Sequence, residues 1–292
     1  MKITVSVHLY HLDMWERIEK YLKNLKQEFQ LLVNIPIDDS DGLPVDFNWV
    51  EYREMYSDLK IKLKNNKTII EQHFLKYGKK ENRFYSIKHS EIANKIRKFK
   101  PNCDVFYTSN LGMDIGGFLQ TYKKIDEDTD LILKIHTKKC LGSFEKTSYD
   151  INRYGFEKAK KYGENWFDEL MCGVLKSTEQ VEKIINEFMS NKKCGMVGYK
   201  KYNNYRKNSA YIQKLFEHFL FSVNLMESYF VGGTIFWVRK DILDKYFTNK
   251  EIDYLLSLLS NGYSHEPSYA HAMERAFAYF VYHQNSELFV ID

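Results

Sequence analysis

The chain has 292 residues, of which 44% are hydrophobic and 28% are charged. This composition is ordinary for a globular protein and excludes wholesale disorder. The length fits about two domains, or one large α/β domain with an insertion. The net charge of +4 is too small to indicate a nucleic-acid-binding surface, so no nucleic-acid partner is expected.

The N-terminus and the cysteines favour a cytoplasmic protein with reduced thiols. Residues 1–7 are too short and too polar for a signal peptide, and no apolar run approaches the roughly 20 residues of a membrane span. The cysteines form no C-x-x-C pair, so we expect neither disulfides nor a structural zinc site. They are Cys103, Cys140, Cys172 and Cys194. Association with the inner face of a membrane, or with a viral factory, is left open.

Apolar patterns predict strands that alternate with helices along the chain. The strands are expected over residues 2–10, 29–35, 103–107, 130–136, 196–199 and 229–238. Helices are expected after capping boxes at Asp13 and Ser177 and around Phe118. This alternation indicates an α/β fold with a mainly parallel sheet, and such sheets bind ligands at the carboxyl ends of their strands.

Residues 47–86 interrupt the alternation with short, highly charged helices. The pattern W-x-x-Y-x-x-x-Y-x-D-L from Trp49, followed by H-F-x-x-x-G-x-x-E-x-R from His73, resembles a small helical module found beside glycan-handling domains in bacteria and large viruses. We therefore predict a main domain of residues 1–46 and 87–292 and a helical insertion of residues 47–86. The insertion is interpreted as a packing or docking module, with sugar binding by its aromatic residues as the alternative.

A glycine-rich stretch, N-L-G-M-D-I-G-G-F from Asn110, follows a predicted strand and opens a helix. Glycines at this place let the backbone approach a ligand, and the helix N-terminus offers free N–H groups to a phosphate. The spacing matches neither the G-x-G-x-x-G fingerprint nor a P-loop. Asp114 is expected either to hydrogen-bond a base or ribose hydroxyl or to cap the helix.

A second stretch, L-K-I-H-T-K-K over residues 133–139, ends a buried strand with His, Thr and two Lys. Cations at this place could neutralise a diphosphate, with His136 as a hydrogen-bond donor or metal ligand. The alternative is a strand that runs into a solvated basic loop. That alternative is favoured for Lys139, and both readings stay open for His136 and Lys138.

Two stretches near the C-terminus carry further polar groups. Gly232 and Gly233 inside an apolar strand indicate close approach of a ligand or of another backbone segment. Pro267 is placed as the first residue of a helix, with Glu266 at its start, where a carboxylate could take a proton from an attacking hydroxyl or pair with the helix dipole. Glu274 could instead form a simple ion pair.

In this order, the motifs N-x-G-x-D-I-G-x-F-L, D-L-I-L-K-I-H-T-K-K, G-T-x-F-W-V-R and A-H-A-M-E-R resemble those of the rhamnan synthesis protein F family. Members of this family are glycosyltransferases of bacterial rhamnose-containing polysaccharides and lipopolysaccharide O-chains. The resemblance covers residues 1–40 and about 87–283.

The resemblance implies a Rossmann-like, A-type glycosyltransferase fold, with the nucleotide-sugar donor at the carboxyl ends of its first strands. It implies an inverting transfer of L-rhamnose or another deoxyhexose from a nucleoside-diphosphate donor to a glycan or lipid-linked glycan acceptor. The donor-binding residues that it implies or leaves as candidates are His8, Tyr10, Asn110, Asp114, His136, Thr137, Lys138, Arg239, His271 and Arg275.

The metal position of many enzymes of this fold carries His and Lys in this chain. The D-x-D of residues 128–130 begins its strand, so we expect it at the wrong end of the sheet. The leaving diphosphate is therefore expected to be stabilised mainly by Lys138, with Arg275 or Arg239, and without a firm metal cofactor. Mg²⁺ or Mn²⁺ held by Asp114, His136 or His271 is the lesser alternative.

The general base is expected at Glu266. The family usually has Asp-Gly-Thr before A-H-A-I-E-R, where this chain has Glu266-Pro267-Ser268, so the carboxylate is kept and the glycine is lost. Glu274 is the second catalytic candidate and, with Arg275, is expected to hold the helix or bind donor. A non-catalytic glycan- or nucleotide-binding protein is the main alternative, and a scaffold that recruits enzymes through residues 47–86 is a weaker one.

The aromatic content of 16% divides among core, insertion and a few candidate platforms for stacking on a base or sugar. The candidate platforms are Tyr10, Phe118, Trp166, Phe236 and Trp237.

Overall fold

The computed structural model describes residues 1–38, 42–63, 65–138, 156–203, 208–221 and 229–291. Its strands are β1 (Ile3–His8), β2 (Phe29–Ile37), β3 (Asp104–Ser109), β4 (Leu131–His136), β5 (Cys194–Gly198), β6 (Lys201–Asn203), β7 (Tyr229–Val231), β8 (Phe236–Arg239) and β9 (Glu287–Phe289).

The described α-helices surround these strands. They are α1 (Trp15–Leu22), α2 (Trp49–Met55), α3 (Ser57–Lys62), α4 (Lys67–His73), α5 (Ile87–Phe99), α6 (Met113–Tyr122), α7 (Phe156–Leu175), α8 (Thr178–Ser190), α9 (Ser209–His218), α10 (Lys240–Asp244), α11 (Asn249–Ser257) and α12 (Tyr269–His283). A 3₁₀ turn at Leu12–Met14 precedes α1, and a π-helical turn at Phe74–Gly78 follows α4.

Seven strands form one sheet in the order β3-β2-β1-β4-β8-β5-β9, and β6 and β7 form a separate ribbon. Strands β1 to β4 are mutually parallel where they pair, whereas β8 is antiparallel to both of its neighbours. The predicted α/β class with a mainly parallel, Rossmann-like sheet is therefore confirmed. We call the edge of the sheet at which β1, β2, β3 and β4 end the carboxyl edge.

The two faces of the sheet differ in polarity. On β1, Ile3, Val5 and Val7 belong to an apolar core on one face. The alternate residues Thr4 and Ser6 lie on the other face, where they are fully buried. A second apolar core, to which α6 and α12 contribute, covers that face. Polar side chains are therefore enclosed between the sheet and a helical layer, and each needs a hydrogen-bond partner.

The predicted strand over residues 229–238 is wrong in one respect, because the chain forms two strands in different sheets. Strand β7 pairs with β6, and β8 enters the central sheet between β4 and β5. Between them lies a turn of Gly232, Gly233 and Thr234, which we call the 232–234 turn. Gly233 has φ of 81° and Thr234 has φ of 52°, and this left-handed backbone cannot continue a strand.

Two of the predicted helix starts need correction, and one is confirmed. Ser177 caps α8 by accepting a hydrogen bond from the Gln180 backbone N–H, as predicted. The chain at Asp13 instead lies inside the 3₁₀ turn, so α1 begins two residues later, at Trp15. Helix α12 begins at Tyr269 with Ser268 as its cap, so Pro267 precedes the helix and is not its first residue.

The segment of residues 47–86 has a small aromatic core of its own. Tyr52, Phe74 and Tyr85 are buried there, as the packing interpretation predicts, whereas Tyr77 is 45% exposed. The same core includes Ile37 at the end of β2, so the segment packs directly on the main sheet. The division into two domains stays a prediction.

Asn82 connects this segment to the outer strand β3. Its side-chain Nδ2 donates to the Val105 carbonyl at 3.0 Å, and the Tyr107 backbone N–H donates to its Oδ1 at 3.4 Å. An edge strand presents unpaired backbone groups that invite pairing with another chain. The Asn82 amide therefore takes the place of a neighbouring strand along part of this edge.

Cys103, Cys172 and Cys194 are free thiols, and Cys140 lies outside the described residues. Among the described helices, none combines the length and the apolar character needed to cross a membrane.

We expect Asn82→Gly to destabilise the protein by about 1–3 kcal/mol, because two backbone groups of β3 lose their partners. Glycine tolerates the left-handed backbone of Asn82, whose φ is 53°, so backbone strain does not confuse the result. Urea unfolding measures the change, and Asn102→Gly in an exposed turn is the matched control. Equal stability of the two variants would contradict the role of Asn82.

Candidate active site at the carboxyl edge

The carboxyl ends of β1 and β4 form the topological switch point of the sheet, where ligands of α/β folds bind. The register places His8 beside both Asn34 and His136 on the adjacent strands. His8 Nδ1 lies 2.7 Å from Asn34 Oδ1, and Asn34 Nδ2 donates to Thr121 Oγ1 on α6 at 2.9 Å. Asn34 therefore orients the His8 ring with its proton on Nδ1.

Helix α6 approaches this pair closely because it has glycine at 117. A Cβ there would lie 2.1 Å from His8 Nδ1 and 2.8 Å from Asn34 Oδ1. A Cβ at Gly116 would lie 1.9 Å from the Leu111 carbonyl oxygen. The prediction that these glycines make room for a ligand is therefore wrong for Gly116 and Gly117, since protein atoms fill the space.

The two histidines at this edge are neutral at pH 7. Burial lowers the pKa of His8 to about 4, against the opposing effect of the Asp114 charge. Burial likewise lowers the pKa of His136 to about 4. His136 Nε2 lies 2.7 Å from the Gly233 carbonyl oxygen, so this nitrogen carries the proton and donates to the 232–234 turn.

Asp114 forms a buried ion pair with Lys134, a residue of β4. The Lys134 ammonium lies 2.5 Å from Asp114 Oδ2, and Thr234 Oγ1 donates to the same oxygen at 2.5 Å. Burial works to raise the pKa of Asp114, but the Lys134 charge and the hydrogen bonds from Lys134 and Thr234 hold that pKa well below its ordinary value. Asp114 is therefore ionised and does not cap α6, whose N-cap is Gly112.

The 232–234 turn is held from several elements at once. Lys134 Nζ donates to the Thr234 carbonyl at 2.9 Å, and His136 donates to the Gly233 carbonyl. The Gly233 backbone N–H donates to Glu274 Oε1 on α12 at 2.7 Å. Residues from the four motifs that carry the family resemblance therefore meet at one turn.

A second ion pair lies beside this turn and fixes Glu266. Arg275 Nη2 donates to Glu266 Oε1 at 2.9 Å, and Asn208 Nδ2 donates to the same oxygen at 3.3 Å. Burial works to raise the pKa of Glu266, but Arg275 outweighs it and the net effect is a lowered pKa. The Glu266 side chain is 30% exposed, so an ionised carboxylate faces solvent at this edge.

Arg275 is almost completely occupied by contacts within the protein. Its side chain is 5% exposed, its Nη1 donates to the His271 carbonyl at 2.7 Å, and its guanidinium lies 4.9 Å from the centroid of the Phe230 ring. His271 Nδ1 in turn lies 2.8 Å from Ser268 Oγ. Arg275 and His271 therefore shape the site and hold Glu266, and donor contacts by them stay predictions.

The remaining candidates of the first and fourth strands lie together at the mouth of the site. Thr137 Oγ1 accepts hydrogen bonds from the backbone N–H groups of Tyr10 and His11, each at 3.1 Å. The Tyr10 side chain is 52% exposed. The Lys138 ammonium lies 3.9 Å from the centroid of the Trp166 ring. Thr137 thus positions the backbone after β1, and Lys138 is a partly exposed cation beside it.

Asn110 lies in the loop between β3 and α6, and backbone hydrogen bonds fix it there. Its N–H donates to the Ile37 carbonyl at 3.0 Å, and its carbonyl accepts from the Gly262 N–H at 2.7 Å. Lys139, the last residue of the basic stretch, lies outside the described residues.

The prediction that Arg239 binds the donor is wrong. Strand β8 is antiparallel to β4, so Arg239 pairs with Leu131, the first residue of β4, and lies about 16 Å from the carboxyl edge. There, its guanidinium donates to the backbone carbonyls of Cys194 and Asn191 at 2.8 and 3.3 Å. Arg239 therefore joins β8 to the segment before β5.

The described residues do not fit a divalent metal at the carboxyl edge. Asp114 is bound by Lys134 and Thr234, and within the described ranges there is no group of three or more His, Cys, Asp or Glu side chains that could hold a metal. The D-x-D motif lies at the opposite edge, as predicted, where Asp128 pairs with Lys2 at 2.7 Å. We derive no catalytic step through a metal.

Three residues of this site were missed in the sequence. Asn34 and Thr234 carry no charge, and nothing in the local pattern distinguishes them from ordinary strand residues. Lys134 left a signal, because it is a charged residue in the middle of the otherwise apolar strand D-L-I-L-K-I-H, and it is 1% exposed. A charge at such a position requires a buried partner.

The comparisons with known proteins yield one match. A family model described as rhamnan synthesis protein F matches residues 80–286. The matched range contains all the motifs that meet at the 232–234 turn, and it leaves out β1 and β2. No curated protein and no solved structure gives a significant match to the chain.

Acidification should destabilise the protein through its buried histidines. Because the folded pKa of His8 is about 4, against an ordinary value of 6.5, the unfolded chain binds an extra proton between these pH values. Stability therefore falls as the pH falls through this window, by up to about 1.4 kcal/mol per pH unit for one histidine. His8→Asn keeps an N–H donor for Asn34 and removes the titration, so urea unfolding should show a shallower slope.

The matched control is His265→Asn, because His265 is exposed. It should retain the pH dependence of the wild-type protein. An unchanged slope in His8→Asn would contradict the assignment of His8 as a buried neutral histidine.

Proposed function

The chain belongs to the rhamnan synthesis protein F family, and on that basis we propose that it is an inverting glycosyltransferase. It transfers L-rhamnose or another deoxyhexose from a nucleoside-diphosphate donor to a growing surface glycan or a lipid-linked glycan. A role in the synthesis of rhamnan-type polysaccharide follows from the family itself. The donor, the acceptor and catalysis are our proposal.

One observation carries the proposal: the motif residues meet at the switch point of the sheet, and an ionised carboxylate faces solvent beside them. Asp114, Lys134 and Glu274 are joined through the 232–234 turn, and Glu266 lies next to it through Arg275. The switch point is where α/β folds place nucleotides. A fixed carboxylate and a nearby cation are the groups that glycosyl transfer needs.

In the proposed reaction, an acceptor hydroxyl oxygen attacks the anomeric carbon of the donor sugar. The bond from that carbon to the diphosphate oxygen breaks with inversion, and the hydroxyl proton passes to the Glu266 carboxylate. Lys138 neutralises the charge that develops on the leaving diphosphate. Arg275 holds Glu266 in its ionised form, and Glu274 holds the 232–234 turn.

One observation favours the alternative of a non-catalytic binding protein. The Glu266 oxygen that Arg275 and Asn208 contact is already neutralised, and a carboxylate with a lowered pKa is a weaker base. Nucleotide or glycan binding without turnover would use the same edge. Catalysis must therefore be tested separately from binding.

We expect Glu266→Gln to lower kcat by about 10²–10⁴-fold and to leave KM for the donor nearly unchanged, because it removes the base and keeps the shape of the side chain. The measurement is release of nucleoside diphosphate from a panel of nucleoside-diphosphate deoxyhexoses. Glu182→Gln on the exposed side of α8 is the control and should retain wild-type activity. Full activity of Glu266→Gln would rule out its role as base, and Glu274 would be tested next.

We expect a nucleoside diphosphate or its deoxyhexose ester to raise the Tm of the purified protein by about 5–10 °C at a concentration near a hundred times its Kd. A thermal-shift screen of the uridine, guanosine, cytidine and thymidine compounds, with and without Mg²⁺ or Mn²⁺, measures this. Stabilisation without any turnover would favour the binding protein. No stabilisation by any compound would contradict nucleotide binding at this edge.

A further inference from the structure

We propose that Lys134 is the resident cation of this site: its ammonium fills the position that a divalent metal would take against Asp114 and fixes the 232–234 turn. The inference deepens the proposed function. It rests on that function only for the position of the donor at the carboxyl edge. Lys134 is a positioning residue, because its ammonium holds the Asp114 carboxylate and the Thr234 carbonyl.

The surroundings of the Lys134 ammonium are those of a cation site. Its nearest oxygens are Asp114 Oδ2 at 2.5 Å and the Thr234 carbonyl at 2.9 Å. A carboxylate and a backbone carbonyl are the oxygen types that Mg²⁺ and Mn²⁺ prefer. In this chain the same two oxygens already bind a cation, the side-chain ammonium of Lys134 on β4.

The rings around the ammonium also suit a fixed positive charge. Lys134 Nζ lies 5.7 Å from the centroid of the Phe118 ring and 5.9 Å from that of Phe236. Both rings lie within the range at which an aromatic face attracts a cation, and both are buried. Water has little access, so burial lowers the pKa of Lys134 against the opposing effect of the Asp114 charge, and the attraction between the two groups is screened weakly.

The ion pair also explains how the backbone of the 232–234 turn is kept. Thr234 is β-branched and has φ of 52°, a strained conformation that persists only when its surroundings hold it. Asp114 binds the Thr234 hydroxyl and Lys134 binds its carbonyl. Loss of the ammonium would therefore release both the carboxylate and the turn.

The test uses the full chain, treated with EDTA, and Mn²⁺ alone as the probe. We compare the wild-type protein with Lys134→Gln, Asp114→Asn and the double variant, by Tm and by Mn²⁺ binding. Lys134→Gln removes the charge and offers Mn²⁺ an amide oxygen beside Asp114 and the Thr234 carbonyl, so we expect a fall in Tm of about 10 °C in the absence of metal. The double variant, which lacks both charges, should lose less than the sum of the two single variants.

Mn²⁺ binding is the measurement that distinguishes a lysine in a cation site from a lysine with only a structural role. The wild-type protein should show no Mn²⁺ site that depends on Asp114. Lys134→Gln should gain such a site and recover Tm on addition of Mn²⁺, whereas the double variant should not. Mn²⁺ binding by the wild-type protein that is lost in Asp114→Asn would overturn the proposal, as would the failure of Mn²⁺ to raise the Tm of Lys134→Gln.

The matched control is Lys240→Met at the opposite edge of the sheet. Lys240 also pairs with a carboxylate, Asp244 at 2.8 Å, but that carboxylate is 44% exposed. This variant should show a small change in Tm and no Mn²⁺ effect. Because no arm uses a nucleotide, failure here leaves nucleotide-sugar binding intact, and failure of the nucleotide screen leaves the assignment of Lys134 intact.

Discussion

The buried pair of Asp114 and Lys134 is the interaction on which the carboxyl edge depends. Burial of a lysine that is 1% exposed has a large desolvation cost. The attraction within the ion pair offsets this cost only with good geometry and further hydrogen bonds. Here the further bonds go to Thr234, through its hydroxyl and its carbonyl. Removing either charge would leave the other buried and unpaired. The pair therefore ties α6, β4 and the 232–234 turn into one unit.

This unit explains why motifs far apart in the sequence occur together. Glu274 reaches the same turn from α12, and the next residue, Arg275, holds Glu266. The position of Glu266 thus depends on α12. Ser268 fixes the start of this helix, and its first turns lie against the 232–234 turn. The motifs are hydrogen-bonded to one another, so a change in one motif would alter the geometry of the others.

Much of the architecture could be predicted from the sequence, since alternating apolar residues marked the strands and the polar residues after them marked the carboxyl edge. The errors come from features that a local apolar pattern does not contain. Such a pattern gives no strand direction, so it could not show that β8 runs antiparallel to β4 and places Arg239 at the opposite edge. It also does not show the left-handed backbone of the 232–234 turn, which divides one predicted strand into two. Asn34 and Thr234 act through contacts made only in the folded chain. Lys134 could have been found, because an unpaired charge inside an apolar strand is too costly.

Burial in the fold also reduces the number of aromatic residues that could contact a sugar or base. Phe118, Phe236 and Trp237 are at most 1% exposed, so they belong to the core and cannot serve as stacking platforms. Tyr10 and Trp166 remain, and Trp166 lies beneath the Lys138 ammonium. Two lysines four residues apart on the same stretch therefore have different tasks. Lys134 is enclosed and holds the protein's own carboxylate, whereas Lys138 is partly exposed and lies on an aromatic ring.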